Sequence, residues 1–232
     1  MNFLLLSAGY GTRLKPITDI IPKCLVDINS KPILHIWLDK VSQHNFNNIF
    51  VNTHYLPHLV CDALKNHPIG NLVKVEHEPK LLGTAQTIFK ICETYPDDDL
   101  FVAHVDNFSN FSIEDFINFF HKRPAWSDIA LLTFETENYH SSGILQIDED
   151  SGRIKNYWEK SPHFFGKIAN GAVFIIEKKI LHTLRSRCNN STDFCGECIP
   201  HLLPFIAPWH HTGFHIDIGS FEKLEEARRI RS

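Results

Sequence analysis

The chain has 232 residues, of which 43% are hydrophobic and 22% charged, with a formal net charge of −4. That length fills one sizeable core or a core with a small lobe, and the composition is ordinary for a soluble globular protein. A weakly acidic balance gives no global basic field, which excludes nucleic acid as the main partner, and no run approaches the ~18 apolar residues that span a membrane.

The apolar run at 3–6 predicts a short buried first strand. It is too short for a secretory segment and has no basic stretch before it, so a cytoplasmic protein is expected. A loop follows at once: Ala8-Gly9-Tyr10-Gly11-Thr12-Arg13-Leu14-Lys15-Pro16, then Pro22-Lys23. Gly9 and Gly11 lack a Cβ, so the backbone can aim amide N–H groups at an anion. Thr12 shares the turn, and Arg13 and Lys23 add fixed positive charge. The loop is not a P-loop, which needs Gly-Lys-Ser/Thr, nor a dinucleotide fingerprint, which needs a third glycine. Its spacing alone suits a phosphate cradle and an ordinary strand-to-helix turn equally.

Apolar runs at 49–52, 72–75, 100–103 and 129–134 read as strands. Between them, 32–41, 57–65, 83–92 and 113–120 carry helical spacing. Such alternation predicts a mostly parallel sheet flanked by helices, with ligands bound beyond the carboxyl ends of its strands. After residue 135 the texture changes: 143–147, 153–158 and 168–176 read as strands joined by polar turns, a small antiparallel extension. The segments 177–187 and 221–231 read as closing helices. No linker, repeat or low-complexity tract divides the chain.

Six cysteines in such a chain read as reduced thiols. Cys195-Gly196-Glu197-Cys198, with Cys188 and His201 near, suggests zinc or redox chemistry. No second CxxC completes a four-sulfur site. The favoured reading is a helix start, with Asp193 as its cap, Glu197 in the first turn, and Ile199 and Leu202 facing the core. The fifteen histidines are scattered and form no HExxH motif.

Two aspartates close β-like runs: Asp106 in His104-Val105-Asp106-Asn107, and Asp217 in Ile216-Asp217-Ile218-Gly219. Either alone reads as a turn cap. Together they can hold one Mg2+, which takes hard oxygen ligands and keeps its other positions for phosphate and water. Glu159-Lys160 reads as a surface ion pair or as a cation for a second phosphate beside a carboxylate for hydroxyls. Asn170-Gly171-Ala172 puts a glycine inside a strand, where it often marks close approach of a ligand; Asn170 both donates and accepts, as a polyol requires.

These pieces resemble, in order and over the whole chain, the sugar-1-phosphate nucleotidyltransferase family. The resemblance rests on the loop from Ser7 to Thr18 with Pro22-Lys23, Leu82-Gly83-Thr84-Ala85, the strand end at Asp106, Gly143, Glu159-Lys160, Asn170-Gly171-Ala172 and Asp217-Ile218-Gly219. It implies an α/β, Rossmann-like nucleotidyltransferase fold: a mostly parallel mixed sheet flanked by helices, with a small antiparallel sugar-binding extension. Residues 1–232 form one domain on this reading, about 1–135 binding nucleotide and about 136–232 binding sugar. It also implies Mg2+ and a reaction joining a nucleoside triphosphate to a sugar 1-phosphate with release of pyrophosphate.

Carried over residue by residue, Arg13, Lys23, Asp106, Lys160 and Asp217 are catalytic, with Asp106 and Asp217 on the metal. Ala8, Gly9, Gly11, Thr12, Glu78, Gly83 and Thr84 join Arg13, Lys23 and Asp106 around the nucleotide. Gly143, Glu159, Lys160 and Asn170 meet the sugar phosphate. His104 and Gln86 stand where Asn and Gly are commoner in the family. Glu78 suits guanine N1–H and its exocyclic amine, which favours GTP with a mannose- or heptose-type 1-phosphate. UTP or dTTP with a hexose 1-phosphate is the alternative, and a silent nucleotide-sugar sensor or a phosphocholine transferase are further ones. The last would need an aromatic cage, for which Tyr157 and Trp158 are at hand. No further C-terminal domain is expected after Asp217. No membrane or nucleic-acid partner is expected, and a homo-oligomer stays open.

Overall fold

The computed structural model describes residues 1–230. By internal contacts the chain forms two compact units, each assembled from separated segments. The first contains Met1–Leu81, Ala103–Ile113 and Phe214–Ser232; the second contains Leu82–Val102 and Glu114–Gly213.

In the first unit the strand Asn2–Leu6 is buried at every position. Parallel strands covered on both faces read as unbroken apolar runs, which is why Phe3-Leu4-Leu5-Leu6 was visible in the sequence. It pairs parallel with Ile49–Thr53, in register Phe3↔Ile49, and that strand pairs parallel with Val73–His77, in register Val51↔Val75. The helix Ile33–Val41 buries Ile33, Leu34, Trp37, Leu38 and Val41, a three-and-four spacing that makes one apolar stripe. The Trp37 indole packs against Phe3 and Phe111 and donates to the Val105 carbonyl at 3.1 Å. One residue past that carbonyl lies Asp106. Lys40, on the next turn of the same helix, donates to the carbonyls of Ser109 (2.9 Å) and Phe111 (3.0 Å). The short strands Asn107–Ser109 and His215–Asp217 pair antiparallel, with Asp217 opposite Asn107. Helix Phe221–Arg229 follows, capped by the Ser220 hydroxyl. The helix expected there ran to Arg231, which lies outside the described residues.

In the second unit Ile129–Glu135 pairs antiparallel with Ile168–Ile176 and parallel with Ile206–His210. Gly143–Ile147 and Ile154–Glu159 form the antiparallel hairpin of the extension, joined to the longer strand through Ala169↔Ile144. Helices Thr84–Thr94 and Leu181–Cys188 pack here. The fold is thus of the α/β class, with three parallel strands and a short antiparallel pair in the first unit and a mixed sheet with an antiparallel extension in the second.

The strand Ile206–His210 was not anticipated, because Pro208 argues against a strand. It pairs with a single neighbour, and an edge is where a residue without an N–H is tolerated. The 177–187 helix also begins later than expected, at Leu181, after a 3₁₀ turn over Lys178–Ile180. Among the described residues no helix is long and apolar enough to cross a membrane.

Candidate active site

The first unit gathers Arg13, Lys23, Asp106 and Asp217. Gly11 stands at φ +64° as the residue before the turn Thr12–Leu14. A Cβ at Gly11 would press on Thr18 Cγ2 at 2.9 Å and Lys23 Cβ at 3.0 Å, so the loop depends on glycine both for its dihedral and for its clearance. The Thr18 hydroxyl donates to the Gly11 carbonyl at 2.8 Å, fixing the loop from the other side. Thr12 and Arg13 are exposed, as is Gly9, while Ala8 is buried behind them.

Lys23 Nζ donates to Asp106 Oδ2 and lies 3.7 Å from Asp217 Oδ1. Arg13 Nη2 is 3.8 Å from Asp217 Oδ2. Asp217 Oδ1 also accepts from the Gly219 N–H at 2.8 Å, and the Asp106 carbonyl accepts from the Ile218 N–H at 2.9 Å. The carboxylates are therefore delivered by backbone pairing, and the cations reach them from the loop.

Electrostatics divides the two acids. Burial disfavours ionised Asp106, but the Lys23 charge and hydrogen bond, with His104 near, hold its carboxyl below the usual range. Asp217 is half exposed at its tip (52%). Even so, the protein packed around its carboxyl and the Asp106 charge beside it push that carboxyl up, Lys23 and Arg13 offsetting this only in part. Burial also works against the Lys23 ammonium, yet Asp106 and Asp217 outweigh it and leave its pKa above the ordinary value. Two carboxylates face one close ammonium, with the Arg13 guanidinium farther off. Such a pair of hard oxygen donors fits a divalent cation such as Mg2+ that takes its remaining ligands from phosphate and water.

Glu78 belongs to the same unit and is 2% exposed. Asn52 Nδ2 donates to Glu78 Oε1 at 2.9 Å, and Asn52 Oδ1 accepts from the Ser7 N–H at 2.6 Å. His54 Nδ1 meets the Glu78 carbonyl at 2.7 Å, so Nδ1 must carry the proton. Its Nε2 is then the acceptor for the Tyr10 hydroxyl at 2.9 Å. Ser7, Tyr10, Asn52 and His54 thus order the ground around the glycine loop and Glu78. Sequence reasoning did not assign them, for their partners are separated by tens of residues.

In the second unit Gly83, at φ +84°, precedes the helix Thr84–Thr94. A Cβ at Gly83 would strike the Thr192 carbonyl, and the Ala85 N–H donates to that carbonyl at 3.0 Å. The Thr84 hydroxyl accepts from the Phe194 N–H at 2.8 Å and faces Asp193 Oδ1 at 3.4 Å. Gln86 donates to the carbonyls of Asn189 and Ser191, which accounts for an amide where glycine is commoner.

The segment holding CxxC is a helix start, though a π turn rather than an α one: Phe194–Cys198, capped by Asp193 on the Cys195 N–H. Glu197 reaches back to the Thr192 N–H at 2.7 Å, the logic of a capping box. Ile199 and Leu202 are fully buried. Among the described residues no group of three or more His, Cys, Asp or Glu is placed to hold a metal.

Gly143, Tyr157, Glu159 and Asn170 meet on the hairpin and the adjoining long strand. Glu159 pairs with Gly143 across the hairpin. Its Oε1 is 3.2 Å from Lys160 Nζ, which is largely exposed, and its Oε2 accepts from the Tyr157 hydroxyl. Asn170 Nδ2 donates to that hydroxyl at 3.3 Å. Tyr157 is the member sequence reasoning left out of the site.

A family model described as nucleotidyl transferase matches residues 3–230. The catalytic subunit beta of mannose-1-phosphate guanylyltransferase from Xenopus tropicalis is 28% identical over 94% of this chain and 61% of its own length. The UTP–glucose-1-phosphate uridylyltransferase of Synechocystis sp. is 26% identical over 99% of this chain and 63% of its own. The chain therefore spans less than two thirds of the length of these curated relatives. Among solved structures, HddC from Yersinia pseudotuberculosis is similar at a TM-score of 0.80, with 26% identity over 98% of this chain and 97% of that one. HddC has also been solved in complex with GMP-PN.

Proposed function

Because the chain belongs to the nucleotidyl transferase family, we propose that it joins a nucleoside triphosphate to a sugar 1-phosphate, releasing pyrophosphate and a nucleotide sugar. The observation that carries this reading is the set Arg13–Lys23–Asp106–Asp217, two cations and two carboxylates held within 4 Å contacts by the phosphate loop and two short strands.

A phosphate oxygen of the sugar 1-phosphate attacks the α-phosphorus while the bond to pyrophosphate breaks in line. That step calls for positioning and charge neutralisation rather than a covalent enzyme intermediate. Gly11 and the backbone around it accept the triphosphate, and Arg13 and Lys23 neutralise the charge that builds on the phosphoryl oxygens. Asp106 and Asp217 would hold Mg2+, which supplies Lewis-acid charge to those oxygens when bound. Lys160 grips the sugar phosphate, and Glu159, Asn170 and the backbone at Gly143 meet hydroxyls. Ala8, Gly9, Thr12, Gly83 and Thr84 complete the proposed nucleotide set, with residues 1–232 acting as one nucleotidyltransferase domain. The setting proposed is cytoplasmic, in keeping with six unpaired thiols.

GTP is the favoured nucleotide and a mannose- or heptose-type 1-phosphate the favoured acceptor. Support comes from buried Glu78, whose Oε1 is oriented by Asn52, from the guanylyltransferase relatives, and from a neighbour that binds GMP-PN. A carboxylate accepts from both guanine N1–H and the exocyclic amine, a pair that uracil and thymine lack. The second reading, UTP with a hexose 1-phosphate, draws on the uridylyltransferase relative.

Pyrophosphate release is the test, measured with Mg2+ across the common nucleoside triphosphates and a panel of sugar 1-phosphates. Release that needs both substrates and is fastest with GTP is expected. Faster turnover with UTP reverses the order of the two readings. Nucleotide binding without release on any acceptor sinks the transferase and leaves a sensor.

A further inference from the structure

The hydrogen bonds around Asn170 have a fixed direction. The Ala172 N–H donates to Asn170 Oδ1 at 2.8 Å, which assigns the oxygen end of the amide. The nitrogen end, Nδ2, therefore faces Tyr157 Oη, 3.3 Å away, and donates to it. With its oxygen engaged as an acceptor, Tyr157 directs its own proton to Glu159 Oε2. The relay runs from the backbone at Ala172 through Asn170 and Tyr157 to one carboxylate oxygen.

Its geometry is set by three local features. The long strand breaks register between Asn170 and Phe174, and Ala172 stands at φ +49°, so the bulge turns the Ala172 N–H onto the Asn170 side chain. Gly143, opposite Glu159, leaves the space: a Cβ there would collide with the Tyr157 hydroxyl and lie 2.6 Å from Glu159 Oε2. Trp158, the residue between them, stacks on Phe165 with centroids 4.1 Å apart and planes within 5°, anchoring the strand from its other face. Burial, with the Cys195 thiol and Glu159 beside it, pushes the Tyr157 phenol up, which favours the protonated, donating form.

We propose that Tyr157 is a positioning residue for the acceptor: its hydroxyl holds Glu159 Oε2 and leaves Oε1, beside Lys160, as the atom that receives a substrate hydroxyl. An otherwise mobile carboxylate becomes a single directed acceptor, and selection among sugars turns on a hydroxyl that can donate to it. The inference rests on the sugar-1-phosphate reading above.

The test is steady-state kinetics of wild type, Tyr157→Phe, Glu159→Gln and the double variant, with the best sugar 1-phosphate and its monodeoxy analogues. Tyr157→Phe removes one oxygen. It should raise KM for the sugar 1-phosphate about 10-fold, as loss of a hydrogen bond to a charged group does, with KM for the nucleotide and kcat within about twofold. The double variant should cost no more than Glu159→Gln alone, since coupled residues are not additive. On the deoxy analogue lacking the recognised hydroxyl, the penalty of Tyr157→Phe should vanish. Gly143→Ala, which crowds the same pair, should give the same rise in KM and provides the readout if Tyr157→Phe does not fold. An unchanged KM, additive penalties, or an equal loss on every acceptor overturns the inference while the transferase stands. A wild-type enzyme that binds nucleotide but turns over no sugar 1-phosphate removes that reading and this inference together.

Discussion

The two clusters solve different problems by different means. In the first unit the proposed functional groups are ions: Lys23 between Asp106 and Asp217, with Arg13 beyond, partly open to solvent. In the second they form a directed hydrogen-bond relay ending on Glu159, with glycine clearances and an aromatic stack behind it. Charges act at a distance and stabilise a transition state wherever charge develops; a relay acts at one atom and discriminates between ligands already bound. Damage to the first should therefore appear in kcat, and damage to the second in KM and selectivity.

The largest expected effect tests that division directly. Lys23→Ala or Asp106→Ala should lower kcat at least ~10²-fold, the scale of losing one preorganised electrostatic contact. Near-wild-type turnover in both would break the comparison. Next is Lys160→Ala, expected to raise KM for the sugar 1-phosphate about 10-fold by removing a charge-assisted contact to phosphate. Its effect on nucleotide KM should stay within about twofold, and equal effects on both substrates would merge the two roles.

A third prediction concerns the support behind the ionic cluster. Lys40→Met leaves the carbonyls of Ser109 and Phe111 without the donor they now share and should cost about 1–3 kcal/mol in urea unfolding. Burial pushes the Lys40 ammonium down to about 8, whereas in the unfolded chain it titrates near the ordinary value. Between those two pH values the unfolded state binds more protons, so this residue makes stability rise with pH there. Below about pH 8 both states are protonated and the slope disappears. Wild type should show that rise between pH 8 and 10, and Lys40→Met should lose it.

How much of this was legible beforehand varied by element. Phe3 to Leu6 could be read directly, because a buried parallel strand is continuously apolar, and the turn at Gly11 could be read from its glycine. The candidate pair Asp106 and Asp217 was also found, each at a strand end. Their common attachment to Lys23, 83 residues from Asp106, is a tertiary fact with no local signature. Tyr157 reads in sequence as one more strand aromatic; only the bulge at Ala172 and the space at Gly143 make its hydroxyl matter. Pro208 hid an edge strand, since the residue that argues against a strand is tolerated where one side has no neighbour.

The smallest effect is an expected near-absence. Burial pushes the thiols of Cys24, in the first unit, and Cys92, in the second, up to about 12, leaving almost no thiolate at pH 8. Brief alkylation of the native protein followed by mass mapping should label Cys61, the one cysteine that is not buried, ahead of both. Equal labelling of Cys24 would mean that the core beside the glycine loop opens on the timescale of the reagent.

The segmentation of the first unit bears on how the protein is made. Its three parallel strands, its glycine loop and Asp106 are all synthesised before residue 114, yet the piece beginning at Phe214, which carries the strand His215–Asp217, follows the whole of the 114–213 segment. Domains ordinarily fold in order from the N-terminus as they leave the ribosome. Here the second unit has all its residues first, while the first still lacks the segment that carries Asp217. The emergence of one short strand, His215–Asp217, is the event that turns a partly folded nascent chain into one able to assemble its full charge cluster.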